Sequence, residues 1–297
     1  MMVKVANIDQ YNQYFGQPTI HPYVSVADLS TAKLSLFDPT DFGMFCVVLM
    51  EESFGELVLR GKTMRYRAGT IFTMKPGDVV SMNLDTRVKP KGLMLAFRPE
   101  LIEGTGLGRD FYMFNFFDYD VREALELTEN ERQSAITCFN NIKDELMGKD
   151  DEFTSHMLRL CIGQLLTHCR RFYDRQFDTS KMRQSELMQR LDALLDNYLS
   201  NENITKRRIV QPSVAWCASH FNLSPNYFGD LVRKESSVGA QTYIQMKIID
   251  KAKSLLANHS LSINDIASQL GFSYPNHFTR LFRNKTGMSP SEFRKKN

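Results

Sequence analysis

Residues 261–294 read LSINDIASQLGFSYPNHFTRLFRNKTGMSPSEFR. Ile263, Ile266 and Leu270 recur at three- and four-residue steps, which is the spacing of one apolar face of a helix. A second run follows the next glycine and ends before Gly287, a residue suited to the left-handed position after a helix. The stretch therefore predicts two helices joined by a short turn.

An earlier stretch repeats this pattern. The alanine of each copy, Ala218 or Ala267, has a side chain small enough for two helices to cross closely. The matching pairs are Val214 and Ile263, Cys217 and Ile266, Ala218 and Ala267, Phe221 and Leu270, Phe228 and Phe278, Leu231 and Leu281, and Val232 and Phe282, with one extra residue in the second copy. The last third of the chain therefore contains the same helix-turn-helix twice.

Helix starts are marked by capping residues. Ser224-Pro225 places a serine at the N-cap and a proline at the first helical position, where its missing N–H costs nothing. Ser289-Pro290-Ser291-Glu292 repeats this order and adds a capping-box glutamate, and Ser262 with Asp265 caps another helix in a similar way. These signals predict where the helices of both copies begin.

The second copy resembles the DNA-binding domain of AraC/XylS-type transcription regulators, in which two such units are joined by one helix. The residues that carry the resemblance are Ile263, Ile266-Ala267, Gly271-Phe272-Ser273, Phe278, Arg280, Phe282-Arg283, Gly287, Ser289-Pro290 and Phe293-Arg294. The resemblance implies a sequence-specific DNA-binding transcription regulator that is not an enzyme. It leaves the effector, the regulated genes and the sign of regulation open.

The DNA-binding domain is predicted over residues 186–297, with its two units at about 210–236 and 260–286. Leu187, Leu191 and Tyr198 share one face of a helix predicted from about 186 to 199. A polar stretch without periodicity, residues 178–185, is interpreted as the linker before it. An amphipathic helix from about 241 to 256 is expected to join the two units.

The resemblance also implies which residues contact DNA, because the second helix of such a unit enters the major groove. Asparagine can pair with adenine there and arginine with guanine. The base-reading residues are expected to be Ser224, Asn226, Tyr227 and Asp230 in the first unit, beside Gly229, and Ser273, Asn276, His277, Thr279 and Arg280 in the second. The expected phosphate contacts are Arg233, Lys234, Arg283, Lys285 and Lys295, each with a plain solvated charge as the alternative.

Several positions leave alternatives open. Asp230 either accepts from a cytosine amino group or forms a salt bridge with Arg233 or Lys234 on its own helix. Arg280 either reads a base or braces the fold. Ser237 stands where the second unit has its terminal glycine, so the first recognition helix is expected to end differently. Trp216, the only tryptophan, either covers the core of the first unit or contacts a partner.

The charge distribution fits a nucleic-acid binder. Residues 181–297 contain 17 Lys and Arg against 9 Asp and Glu, whereas the preceding 180 residues contain 20 against 25. A basic C-terminal third beside an acidic remainder is the electrostatic footprint of a DNA-binding part attached to one that does not touch DNA. A module that binds protein and has lost DNA binding is the alternative, and the basic bias argues against it.

The N-terminal part, residues 1–177, reads first as short strands. Residues 46–50, 55–59 and 70–74 are β-rich runs, separated by expected turns at 60–62 and 76–78. Several short strands at this spacing indicate a small barrel or a sandwich. Residues 66–77 resemble the cupin-like sensor domain of this family. The predicted fold class is therefore α+β: a cupin-like β-barrel with two flanking helices, then an all-α domain of two helix-turn-helix units.

Residues 128–176 change to helical periodicity, with Thr128 and Glu131 as a capping box. The resemblance implies that this helix pair forms a dimer interface, although simple packing on the barrel is the alternative. The aromatic run 111–117 either lines a sensor pocket or packs in a core. The partners implied are double-stranded DNA, a small-molecule effector, a second copy of the chain and RNA polymerase.

Other classes of protein fit the sequence poorly. Only His21 of the six histidines precedes residue 150, so a three-histidine metal site cannot be built in the barrel. His21 is expected on a surface or in a loop, with pocket lining as the alternative. The five cysteines are scattered and form no C-x-x-C pair, which argues against a zinc site and for reduced thiols in the cytoplasm. The sequence also shows no signal-peptide core and no apolar run long enough to span a membrane. We therefore expect a cytoplasmic protein without a metal, a cofactor or a membrane span.

Overall fold

The computed structural model describes residues 2–31, 38–53, 56–83, 90–179, 181–200 and 211–296. The chain divides into two compact units, Met1–Thr179 and Ser180–Asn297. Among the described helices, none combines the length and the apolar character that a membrane span requires.

The first unit contains two β-sheets and the helices that cover them. Its described strands are β1 (Val3–Lys4), β2 (Val24–Asp28), β3 (Thr40–Asp41), β4 (Phe45–Met50), β5 (Glu56–Leu59), β6 (Lys62–Arg65), β7 (Thr70–Met74), β8 (Val79–Asn83), β9 (Gly92–Phe97) and β10 (Leu125–Glu126). Its helices are α1 (Ile8–Phe15), α2 (Pro99–Ile102), α3 (Gly106–Asp110), α4 (Glu129–Met147) and α5 (Thr154–Thr179).

The strands form two five-stranded sheets, in the orders β1-β3-β8-β5-β6 and β10-β7-β4-β9-β2. Within the described residues no strand of one sheet pairs with a strand of the other, so the expected closed barrel is corrected to two sheets. Closure would require the edges to pair. One edge, β6, exposes Lys62 and Arg65, and charged side chains on an edge oppose further strand pairing.

The predicted turns are confirmed. Arg60 and Gly61, with φ of 53° and 73°, connect β5 to β6 in a two-residue hairpin, where Leu59 pairs with Lys62. Two positive φ values suit the right-handed twist of a hairpin. Pro76-Gly77 turns the chain between β7 and β8, and Gly77 has a φ of 88°.

Arg60 also ties the aromatic run to the sheet. Its guanidinium forms two hydrogen bonds with the Asp78 carboxylate, at 2.7 and 2.5 Å, and donates to the carbonyl oxygens of Phe117 and Tyr119. Phe116 and Phe117 are buried, which confirms the packing interpretation for these two residues. The run is therefore mainly a structural strap across the sheet.

A second ionic contact holds the segment that follows this run. The buried Asp120 carboxylate accepts hydrogen bonds from Lys62 and Arg122. Burial alone would raise the pKa of Asp120, but the hydrogen bonds from Arg122 and Lys62 lower it to about 2. The carboxylate is therefore charged at neutral pH and holds this segment against β6.

Thr128 caps α4 as predicted. Its hydroxyl accepts from the Glu131 backbone N–H, and the Glu131 carboxylate accepts from the Thr128 backbone N–H. His21 lies in a loop, as expected, but it is buried, with its Nε2 atom 3.3 Å from the Ser155 hydroxyl of α5. The expectation of a surface position is therefore wrong, because α5 packs over this loop.

The second unit is entirely helical in its described residues. Its helices are α6 (Lys181–Ser200), α7 (Val214–His220), α8 (Pro225–Ser236), α9 (Ala240–Leu256), α10 (Ile263–Gln269), α11 (Pro275–Thr286) and α12 (Pro290–Lys296). The boundary between the two compact units falls within residues 178–185, the predicted linker. Residues 178–179 end α5 and 181–185 begin α6, so the described part of this stretch is helical; residue 180 lies outside the described residues. The stretch contains neither proline nor glycine, so nothing in it opposes a helix.

Helix α9 forms the centre of this unit. Ile244, Ile248, Ile249, Ala252 and Leu256 are all buried on it, and it contacts the helices of both helix-turn-helix units. Both units therefore share one core.

The recognition helices end in the same conformation despite different residues. Ser237 after α8 has a φ of 60°, and Gly287 after α11 has a φ of 80°. Each backbone N–H bonds to the carbonyl oxygen four residues earlier, at Arg233 or Arg283. The expected difference between the two helix ends is therefore wrong: Ser237 adopts the left-handed conformation that glycine adopts more readily.

These two ends form a matched pair for a stability measurement. Ser237→Gly should raise the free energy of unfolding by about 1 kcal/mol, because a side chain at a left-handed position is strained. Gly287→Ser should lower it by a similar amount, since a Cβ there meets no neighbour within 4 Å and only the backbone conformation opposes it. Urea unfolding measures both values, and equal signs for the two variants would contradict this account.

Candidate DNA-binding surface

The two recognition helices are equivalent position by position. Helices α8 and α11 both contain 12 residues, begin with a proline and end before a left-handed residue. Equivalent residues are therefore 50 positions apart along both helices. This register pairs Ser224 with Tyr274, Asn226 with Asn276, Tyr227 with His277, Asp230 with Arg280, and Arg233 with Arg283.

Helix α11 exposes most of its predicted base-reading side chains. Asn276, His277 and Arg280 are exposed, as is Ser273 in the turn before the helix, whereas Thr279 is half-buried. Asn276 and Arg280 are four residues apart and share one face. No ion pair holds Arg280 within the described part of the chain, so nothing here supports the alternative that it braces the fold.

Helix α8 presents a different surface. Asn226 is exposed, and the Ser224 hydroxyl caps the helix by accepting from the Tyr227 backbone N–H at 3.3 Å. Asp230 is 5% exposed and lies 3.2 Å from the Arg233 guanidinium. This is the geometry of the salt-bridge alternative, with the carboxylate directed away from solvent. The first helix-turn-helix unit therefore has an internal ion pair at the position where the second helix-turn-helix unit has the exposed Arg280.

The predicted phosphate contacts all lie on the outside of the unit. Arg283 follows Arg280 by less than one turn of α11, and Lys285 is exposed near the end of the same helix. The Arg233 side chain is 59% exposed although it is paired with Asp230. Lys234 on α8 and Lys295 on α12 are exposed as well. These cations can reach a negatively charged backbone without changes in the core.

One exposed residue at this surface was not among the predicted contacts. Tyr274 immediately precedes α11, is 65% exposed and has its ring centroid 5.5 Å from that of His277. The sequence does place it next to Pro275 at the start of the helix. It was missed because neither the helical periodicity nor the family resemblance assigns a role to this position.

Polar and aromatic contacts join α6 to the first helix-turn-helix unit and to α9. Asp192 of α6 accepts a hydrogen bond from the Tyr243 hydroxyl at 2.6 Å and pairs with Lys247 of α9 at 2.8 Å. Burial and the hydrogen bond to Asp192 raise the pKa of Tyr243 to about 12. The Trp216 ring packs against that of Tyr198 of α6 at a tilt of 53°, with the ring centroids 4.5 Å apart, which is the covering role among its two alternatives.

Comparisons with known proteins agree with this geometry. Residues 217–296 match a family model described as a helix-turn-helix domain. An uncharacterised HTH-type transcriptional regulator of Escherichia coli, YijO, is 27% identical over 81% of this chain and 80% of its own length. The arabinose operon regulatory protein of Salmonella typhimurium is 33% identical, but over 27% of this chain and 29% of its own length.

A solved structure is similar to part of the chain. It is a DNA-binding transcriptional dual regulator from Escherichia coli K-12, which is 23% identical with a TM-score of 0.31, over 37% of this chain and 90% of that protein.

The tandem units, their shared central helix and these matches agree: the helix-turn-helix domain in the C-terminal third of the chain is similar to that of AraC-type transcription regulators.

Proposed function

We propose that each chain reads two short DNA subsites, one with α8 and one with α11, in successive major grooves. The observation that carries the proposal is the equivalent register of the two helices on one central helix. Recognition helices one helical turn apart read subsites about 10 base pairs, or roughly 34 Å, apart. Selection from a randomised duplex pool tests this: a site without that spacing contradicts it, and a failure to select any site favours the protein-binding alternative.

The proposed base-reading residues are Ser224, Asn226 and Tyr227 in the first unit and Ser273, Asn276, His277, Thr279 and Arg280 in the second. Asp230 is left out, because its carboxylate is buried and directed to Arg233 of its own helix. Arg233, Lys234, Arg283, Lys285 and Lys295 are proposed to bind phosphates, which position the domain without reading sequence.

Arg280 and Arg283 separate the two kinds of contact. Arg280→Ala should weaken binding to the selected site about tenfold and relax the preference at one base pair, because a bidentate contact to guanine is lost. Arg283→Ala should weaken binding to all sequences alike and reduce the slope of log affinity against log salt by about 1. Fluorescence anisotropy over a salt series measures both effects.

Lys149→Ala, in the first unit, is the control for a general loss of positive charge, since Lys149 is exposed far along the chain from either recognition helix. Identical salt slopes and identical base preferences in all three variants would contradict the division into reading and positioning arginines.

For the N-terminal unit, Met1–Thr179, we propose self-association through α5. Phe153, Met157 and Leu160 are 62%, 42% and 55% exposed, and their spacing of four and three residues places them on one helix face. Leu160 also borders a groove of about 450 Å³ that includes Met113. An exposed apolar stripe of this kind is typical of an interaction site.

The charges around this groove favour a second copy as the partner. Asp110 lies at the groove with Arg159 and Arg171, and none of the three has an ion-pair partner within the described residues. In a two-fold dimer each copy presents the same patch to the other, so the acid of one copy can face an arginine of its partner. The groove is in this sense complementary to itself.

Replacement of Met157 and Leu160 by glutamate should convert the dimer to a monomer, because four buried carboxylates would repel one another across the two-fold axis. Analytical ultracentrifugation of the full chain at about 10 µM measures the change. Met147→Glu is the control, since Met147 is 75% exposed and borders a different groove with Ile20 and Lys143. A monomeric unsubstituted chain, or a double variant that still dimerises, would refute this interface.

We further propose that the first unit is the cupin-like sensor of the family and that its effector is an uncharged apolar molecule. A small cavity between the two sheets has no charged side chain among its described lining residues, and it includes Met74, Met82 and Met94. Methionine side chains are flexible and can repack around a ligand. Tyr14 and Thr40 supply the polar edge of the cavity.

The cavity holds about 20 Å³, so a ligand the size of indole can enter only if the methionine side chains repack, and indole is the probe of that repacking. At millimolar concentration it should raise the Tm of the full chain by a few degrees, because it binds the folded state only. Indole-3-acetate, with its carboxylate, should have a much smaller effect. Val80→Phe fills the cavity and should abolish the shift. Equal shifts for both probes, or for both proteins, would refute the proposal.

The remaining proposals rest on the family assignment alone. RNA polymerase is a further partner, which co-purification on the selected site would test. The cytoplasm is the proposed location, as for any protein that acts on chromosomal DNA without crossing a membrane.

A further inference from the structure

We propose that Tyr274 is a further specificity-determining residue, whose ring packs against the C5-methyl group of a thymine in the subsite of α11. This inference rests on the proposed entry of α11 into the major groove. It goes beyond the residues assigned above, because Tyr274 is not among them and its proposed contact with the base is apolar.

Helix stability does not account for a tyrosine at this position. Tyr274 is the N-cap residue of α11 and makes no side-chain capping hydrogen bond. Its equivalent Ser224 does so for α8, and serines 213 and 262 do so for α7 and α10. A tyrosine hydroxyl stands too far from its own backbone to replace them. The second recognition helix therefore begins with a residue that stabilises it less than a serine would.

Core packing does not account for it either. Of the large apolar side chains described in the second unit, Tyr274 is the most exposed, at 65%, compared with 45% for Met246. Its ring meets that of His277 edge to face, with an interplanar angle of 65°. The ring is therefore held beside an exposed, predicted base-reading side chain, with most of its own surface open to solvent.

The position of the ring decides which ligand chemistry it meets. The first residues of a recognition helix lie closest to the base edges. Thymine is the one base that presents a methyl group in the major groove, and an apolar side chain distinguishes it there from cytosine. A phenol ring against that methyl group removes apolar surface of both partners from water. Tyr274 can thus read a thymine next to the base pair that Asn276 or Arg280 reads.

The test removes one methyl group at a time from the DNA. In the selected site, each thymine of the α11 subsite is replaced in turn by uracil, which differs only in lacking that group. At one position the unsubstituted chain should lose about fivefold in affinity. Tyr274→Ser should bind the thymine site about fivefold more weakly and show no further loss with uracil. Tyr274→Phe should keep the discrimination, because the ring is retained.

Thermal unfolding of the same variants separates reading from a structural role. Tyr274→Ser should raise Tm by a few degrees, since serine caps the helix, while weakening DNA binding. Met246→Ser, which removes an exposed apolar side chain from α9, should leave affinity unchanged.

Three outcomes overturn the proposal: unchanged DNA affinity in Tyr274→Ser, a lowered Tm in Tyr274→Ser, or an equal loss of affinity with uracil in the unsubstituted chain and in Tyr274→Ser. Arg280→Ala measured on the same site distinguishes its failure from that of the proposed function. If Arg280→Ala weakens binding and Tyr274→Ser does not, α11 still reads DNA and Tyr274 does not contribute.

Discussion

The packing of both helix-turn-helix units on α9 is the constraint on which the DNA-binding surface depends. Ile244, Ile248 and Ala252 form one continuous core with the helices on either side. Because protein interiors are close-packed, neither unit can rotate about α9 without opening a cavity. The separation and the relative orientation of α8 and α11 are therefore properties of the core, and in the proposed mode of binding the exposed side chains decide only what each helix reads.

The sequence predicted helix starts and turns well because the signals for them are physically local. A capping serine or threonine acts within three residues, so Thr128, Ser224 and Ser262 could be assigned from the sequence alone. The two-residue turn at Arg60-Gly61 is local in the same sense. These features depend on the chemistry of neighbouring residues and need no knowledge of the rest of the fold.

The features that the sequence did not predict depend on distant residues. Whether strands close into a barrel is decided by edges such as β6, which lie far apart along the chain. Ser237 adopts a left-handed conformation because the helix end is fixed by its neighbours, although serine does not favour it. The exposure of Tyr274 and the burial of Asp230 were open for the same reason: they depend on how each helix sits on the core.

The ion pair between Asp230 and Arg233 has a consequence for how the chain is oriented on DNA. Only the second helix-turn-helix unit has an exposed arginine, Arg280, at this position, because the equivalent residue of the first is the buried Asp230. The two recognition surfaces are therefore not interchangeable. A site whose halves are exchanged is a different site for this chain, even though both halves are present at the same spacing. In the proposed mode of binding, one chain therefore lies on the duplex in a single direction, with a distinct upstream end and downstream end.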